Sequence, residues 1–125
     1  MDVGELNKIT ERIIGIAINI HKKLGPGFTE RIYEQALKYE FKHNKINFIS
    51  QKVINVKYDE VKLGEQRIDF LVEDEIIVDL KSVSEINEIH QAQIISYLKT
   101  TDKKIGLILN FAKKRLEIRR LVNKL

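Results

Sequence analysis

The sequence predicts an α/β domain with a mixed central sheet of about five strands flanked by three main helices. Three observations predict it. Apolar residues recur at spacings of three and four from Leu6 to Phe41. Between Phe48 and Leu121 the apolar stretches have strand length, with acidic or polar breaks between them. A helical stretch interrupts those strands, which favours a mixed sheet covered by helices over a wholly antiparallel one.

Taken in order, Leu6, Ile9, Ile13, Ile16, Ala17, Ile20 and Leu24 form one stripe, with Lys8, Glu11, Arg12, Lys22 and Lys23 between them. The spacing predicts an amphipathic helix from Gly4 or Glu5 to Leu24, ended by Gly25-Pro26-Gly27. Thr29 can cap a second helix that runs to His43 or Asn44, with Ile32, Tyr33, Ala36, Leu37 and Phe41 buried. Asn44-Lys45 is a turn, and Phe48 to Tyr58 alternates as a strand. A polar hairpin loop is expected over Asp59 to Gly64. Ile68 to Val72 and Ile76 to Leu80 are then two central strands, broken by Glu73-Asp74-Glu75. Ser84 is a plausible cap for a third helix from about Glu85 to Lys99, with Ile86, Ile89, Ile94, Tyr97 and Leu98 as its apolar face. Thr100-Thr101-Asp102 is a loop. Ile105 to Phe111 has the continuous apolar character of a strand buried on both sides. Arg115 to Leu121 is its partner, with Leu116 and Ile118 inward and Arg115, Glu117 and Arg119 outward.

A chain of 125 residues is one domain by length and can bury a core. Its 43% hydrophobic and 32% charged residues exclude a disordered composition. The absence of cysteine excludes disulfides and thiolate metal sites, and fits a cytoplasmic location. No apolar run has the length of a membrane span, and the first residues do not resemble a signal peptide. The net charge of +4 is unevenly spread. From Lys99 to Leu125 nine Lys or Arg face only Asp102 and Glu117, a balance of +7, so the rest carries −3. An acidic body with a basic end suits a polyanionic ligand, although a solvated basic surface is an equal reading of the same residues.

The candidate chemistry lies in the two central strands. Asp79 and Lys81 are two apart on one strand and so point the same way. If the strands pair as a hairpin, Asp69 can share that face. Two carboxylates and an ammonium beside a core are costly unless they are paired or hold a cation. Glu30, in the first turn of the second helix, is favoured there by the helix dipole and needs no other reason. Gln93 and Tyr97 are four apart on one helix side, with His90 three residues before. On residues alone Tyr97 is core, Gln93 is surface, and His90 is a polar spacer.

Asp69 followed by Asp79-Leu80-Lys81 across a hairpin resembles the metal-binding signature of the PD-(D/E)XK nuclease superfamily. Gly27-Phe28-Thr29-Glu30-Arg31-Ile32-Tyr33, with Leu24-Gly25-Pro26 just before it, is similar to the motif that names the GxxExxY family. Gln93-Ile94-Ile95-Ser96-Tyr97 resembles the Gln-x-x-x-Tyr helix of the exonuclease-like branch. The order agrees, and the resemblance runs from about Leu24 to Arg120. Ile68 stands where the superfamily name has Pro, and Asp79 where the family usually has Glu.

The resemblance implies a restriction-endonuclease-like core and a Mg²⁺-dependent (or Mn²⁺-dependent) nuclease acting on DNA. Asp69, Asp79 and the carbonyl of Leu80 would hold the metal, with Glu30 as a further ligand, direct or through water. Lys81 would position or deprotonate the attacking water, Gln93 would orient water or phosphate, and Tyr97 would back the lysine. Tyr33 would pack in the core with its hydroxyl towards the site. Lys113, Lys114, Arg115, Arg119 and Arg120 would hold nucleic acid. A nucleic-acid-binding module of the same fold without turnover is the alternative, and a small interaction module with a buried ion-pair network is a third. By analogy with small members, the chain could form a homodimer.

Overall fold

The computed structural model describes all residues, 1–125. The order of elements is α1 (Val3–Leu24), α2 (Glu30–His43), β1 (Phe48–Tyr58), β2 (Val61–Val72), β3 (Ile76–Lys81), α3 (Glu88–Thr101), β4 (Ile105–Asn110) and β5 (Glu117–Val122). The five strands lie in the order β1-β2-β3-β4-β5. All neighbours are antiparallel except β3 and β4, which are parallel and joined by the α3 crossover. This is the mixed, helix-flanked α/β sheet expected from the sequence.

Two apolar layers sandwich the sheet. On one face, Leu6, Ile13, Ala17 and Ile20 of α1 and Tyr33, Leu37 and Phe41 of α2 pack on Phe70, Val78, Leu80, Leu107 and Leu109. On the other, Ile94, Tyr97 and Leu98 of α3 pack on Ile68, Leu71, Ile77 and Ile108. Every residue of β4 is buried, as its unbroken apolar run requires.

Several boundaries differ from the expected ones, each for a local reason. α1 begins at Val3 because Asp2 caps it, its Oδ1 accepting from Glu5 N at 2.8 Å. Thr29 occupies the cap position of α2 but makes no side-chain capping bond. The loop expected over Asp59 to Gly64 shrinks to Asp59-Glu60, because Asp59 adopts φ +53 and closes a tight turn; Val61 to Gly64 already belong to β2. Ser84 does not cap α3. Asn87 does, through a reciprocal pair of bonds with His90, so the helix starts at Glu88 and runs through Thr100 and Thr101. His90 is therefore a capping residue. Ile86 lies in the preceding loop, and Ile89 is 78% exposed and not part of the apolar face.

Glu117 is a further correction. Its side chain, expected outward, is only 11% exposed and accepts from Asn110 Nδ2 at 2.9 Å and Ile86 N at 3.2 Å. Asn110 is fully buried, and its amide also donates to Val83 O and accepts from Val83 N. Burial alone raises the Glu117 pKa, but these hydrogen bonds and the Lys113 and Arg119 charges outweigh it, and the net shift is downward. The Asn110–Glu117 pair thus ties the β3–α3 loop to the sheet and sets where α3 begins.

Gly106 shows how closely α3 sits. A Cβ there would meet Ile94 Cγ2 at 2.5 Å and Leu98 at 3.6 Å. The Ile94 methyl is on a branched, fully buried side chain and cannot swing aside. Gly106→Ala is expected to lower unfolding stability by about 1–3 kcal/mol, with partial recovery when Ile94→Leu removes the branch. Urea unfolding of the two variants measures this; an unchanged midpoint for Gly106→Ala would show that the contact is slack.

Candidate active site

β2 and β3 pair from Val72/Ile76 through Phe70/Val78 and then part. The next opposed residues in that register are Asp69 and Asp79. The Asp69 carboxylate fills the gap, its Oδ2 accepting from Leu80 N at 2.8 Å. Asp79 lies on the α3 side of β3 and is 5% exposed. Lys81, two residues on and facing the same way, brings its Nζ to 3.0 Å from Asp79 Oδ2 and 3.4 Å from Gln93 Oε1. The three charged residues predicted at the hairpin are thus together, with Leu80 between them.

The electrostatics are those of a crowded anionic pocket. Burial first, then the charge and hydrogen bonding of Asp69, push the Asp79 carboxyl from 3.8 to about 7, against the opposing pull of Lys81. Its Oδ2 makes no directed hydrogen bond, since the Lys81 contact is a charge contact without hydrogen-bond geometry. Tyr97 is pushed to about 12 by burial and then by Asp79 and Asp69, while a hydrogen bond with Gln93 opposes the shift. Tyr97, Gln93, Lys81 and Asp79 therefore form one contiguous polar path on the α3 face.

Glu30 and Tyr33 reach this region from α2. Glu30 Oε1 accepts from Ser82 N at 3.1 Å, just past the end of β3. It lines a cavity of about 490 Å³ with Arg31, Glu34, Gln51, Asp69 and Leu80. Tyr33 is fully buried and stacks on Phe111 with ring centroids 4.3 Å apart. Its hydroxyl, expected towards the site, instead donates to Gly25 O at 2.6 Å and accepts from Phe28 N at 3.3 Å. The turn it braces needs both Gly25 at φ +72 and Gly27 at φ +109. Tyr33 thereby fixes the start of α2, and with it Glu30.

Two residues that the sequence did not single out belong here. Gln51, inside β1, has φ +52. A non-glycine residue in that region costs roughly 1–2 kcal/mol. Ser50 pairs with Phe70 and Lys52 with Ile68, but Gln51 and Asp69 drop out of the ladder. Both strands change faces there: Phe48 and Phe70 pack on the α1–α2 side, Ile54 and Ile68 on the α3 side. Gln51 Nε2 donates to Glu34 Oε1 and, at 3.3 Å, to Asp69 Oδ1. Glu34 follows Glu30 by one helical turn, a spacing that could have flagged it. Nothing in the residues around Gln51 marks its backbone.

The donor set is all oxygen: Asp69, Asp79, whose Oδ2 is ion-paired to Lys81 without a directed hydrogen bond, and backbone carbonyl at Leu80. No group of three His, Cys, Asp or Glu side chains is placed to hold a metal, so a cation would need backbone or water to complete its shell. Two carboxylates, one of them buried, share the single Lys81 ammonium, which leaves the site short of positive charge. A hard divalent cation fits that chemistry.

The basic residues do not form one patch. Lys113, Lys114 and Arg115 lie in the β4–β5 connection, at the same sheet end as Lys81, which pairs with Asn110. Lys114 and Arg115 line a cleft of about 550 Å³ with Ile18 and Lys22 of α1. Lys113 and Arg119 approach Glu117 at 3.6 and 3.3 Å, and Arg120 donates to Asn7 at 2.9 Å. Arg119 and Arg120, adjacent on β5, point to opposite faces. No helix is long and apolar enough to cross a membrane.

Comparison with solved structures places the same fold in another protein. The crystal structure of SSO0001 superposes with a TM-score of 0.59 at 16% sequence identity, over 76% of this chain and 50% of that one. This chain thus spans about half the length of that relative, and the likeness concerns the fold alone. Among curated protein sequences there is no match. A family model for the PD-(D/E)XK nuclease superfamily matches residues 7–121. Running from Asn7 in α1 to Leu121 in β5, that match takes in nearly every element described above, and the chain belongs to the PD-(D/E)XK nuclease superfamily.

Proposed function

We propose that the chain is a Mg²⁺- or Mn²⁺-dependent nuclease that hydrolyses DNA phosphodiester bonds. Asp69, Asp79 and the Leu80 carbonyl would hold the ion, with Glu30 reaching it directly or through water. The observation that carries the reading is the buried Asp79 opposite Asp69 where β2 and β3 part, with Lys81 Nζ 3.0 Å from Asp79 Oδ2. The Gly27 to Tyr33 segment further supports a place in the GxxExxY family.

When bound, the cation would lower the pKa of a water and offset charge on the phosphate. Lys81, paired with Asp79, is placed as a donor: it orients the attacking water and opposes negative charge on the phosphoryl oxygens. Gln93 holds the Lys81 amine in place from α3. Tyr97, with its hydroxyl at about 12, stays protonated and keeps Gln93 turned to the site. Lys113, Lys114 and Arg115 would contact backbone phosphates at the same sheet end, with Arg119 and Arg120 as flanking contacts. The displacement would be in line and without a covalent intermediate.

Asp69→Ala and Lys81→Ala are each expected to lower Mg²⁺- or Mn²⁺-dependent DNA cleavage by at least about a hundredfold. Cleavage equal to the parent chain in both variants would mark a contaminant and remove the reading. Binding that weakens steeply with salt, without cleavage under any divalent ion, would instead favour the turnover-free module.

A second expectation follows from Asp79. Its folded pKa of about 7 lies above the unfolded 3.8, so between these values the native state binds the extra proton. Metal-free stability should therefore fall as pH rises from about 4 to about 7 and level off above. Asp79→Asn should flatten that slope. Thermal unfolding in chelator across the pH range checks it; a metal-free protein that gains stability through the window in step with the Asn variant contradicts a buried, proton-hungry Asp79.

A further inference from the structure

Gln51 is the only non-glycine residue inside a strand with a positive φ; the others lie in turns, at the α3 C-cap or at the C-terminus. In those turns the left-handed conformation reverses or ends the chain. At Gln51 the strand continues. What the conformation achieves is a change of face, and it places one side-chain amide between Glu34 and Asp69.

We propose that Gln51 is a positioning residue that sets the orientation of the Asp69 carboxylate. Asp69 is held at both oxygens: Oδ1 by Gln51 Nε2 and Oδ2 by Leu80 N. Two donors, one on each oxygen, fix the rotation of the carboxylate. Gln51 is in turn anchored on α2, because Glu34 is 13% exposed at its side chain and lies 3.8 Å from Lys38. Lys38, Glu34, Gln51, Asp69 and Leu80 form one chain of contacts from α2 to the end of β3. The consequence for cation holding rests on the function proposed above; the orientation of Asp69 does not.

Gln51→Gly separates the two things Gln51 does. Glycine adopts positive φ without a steric penalty, so it keeps the change of face and removes the amide. The thermal midpoint is expected to equal or exceed that of the parent chain. Hydrogen exchange at the Leu80 amide should speed up by at least tenfold, while the Val78 amide keeps its protection. Calorimetric Mn²⁺ affinity should fall by roughly 10–100-fold. Gln51→Asn, which also tolerates positive φ but has an amide one methylene short, should show both losses. Leu80 protection unchanged in either folded variant overturns the proposal, as does a loss spread evenly over the sheet amides. The exchange measurement is made without metal. A parent chain that binds no Mn²⁺ therefore removes the nuclease reading and leaves the role of Gln51 to be decided by Leu80.

Discussion

A carboxylate buried beside another carboxylate is the constraint around which the molecule is built. Asp79 sits almost out of solvent on a central strand, opposite Asp69, in a region whose other inward residues are apolar. Two anions there repel and lose hydration, so one must take a proton, an ammonium or a cation. Lys81 supplies part of the compensation. Asp69 turns part of its charge to a backbone amide that the separating strands leave open. The remainder, an Asp79 oxygen without a directed hydrogen bond, is what gives the site chemical potential.

The rest of the fold brings other elements to that point and holds them. The Tyr33 hydroxyl locks the Gly25–Phe28 turn while its ring stacks on Phe111, so the first turn of α2 meets the ends of β3 and β4. Asn110 and Glu117 secure the loop after β3, and the Asn87–His90 cap then starts α3 where Gln93 and Tyr97 face Lys81. The site lies at the carboxyl end of β3, where the sheet changes from antiparallel to parallel pairing. Glu117 is the one charged group among these supports, and Lys113 and Arg119 balance it away from the pocket.

Much of this was legible in the residues, and the reasons differ by element. The α1 and α2 stripes follow a period of 3.6, and β4 is apolar throughout, so burial alone identified them. Asp79 and Lys81 share a face because strands alternate. The failures share a cause: they depend on particular hydrogen bonds that spacing and periodicity do not show. Asn87 rather than Ser84 caps α3, and only the loop tied by Asn110 and Glu117 decides between them. The Tyr33 hydroxyl turns away from the pocket to donate to the Gly25 carbonyl. Gln51 is the extreme case, since a left-handed glutamine within a strand has no signature in composition, spacing or turn chemistry. The basic C-terminal stretch illustrates the opposite error. A run of like charge in sequence is divided by strand alternation between two faces and partly neutralised by one half-buried acid.

The chemistry of the site depends on Asp69 and Asp79 gripping a common cation. Anomalous diffraction from a crystal of the unmodified chain soaked in Mn²⁺ tests this most directly. One strong peak is expected within about 2.0–2.3 Å of both carboxylates, beside the Leu80 carbonyl. An empty map at that position, with the two side chains unmoved and Lys81 still paired to Asp79, would contradict it.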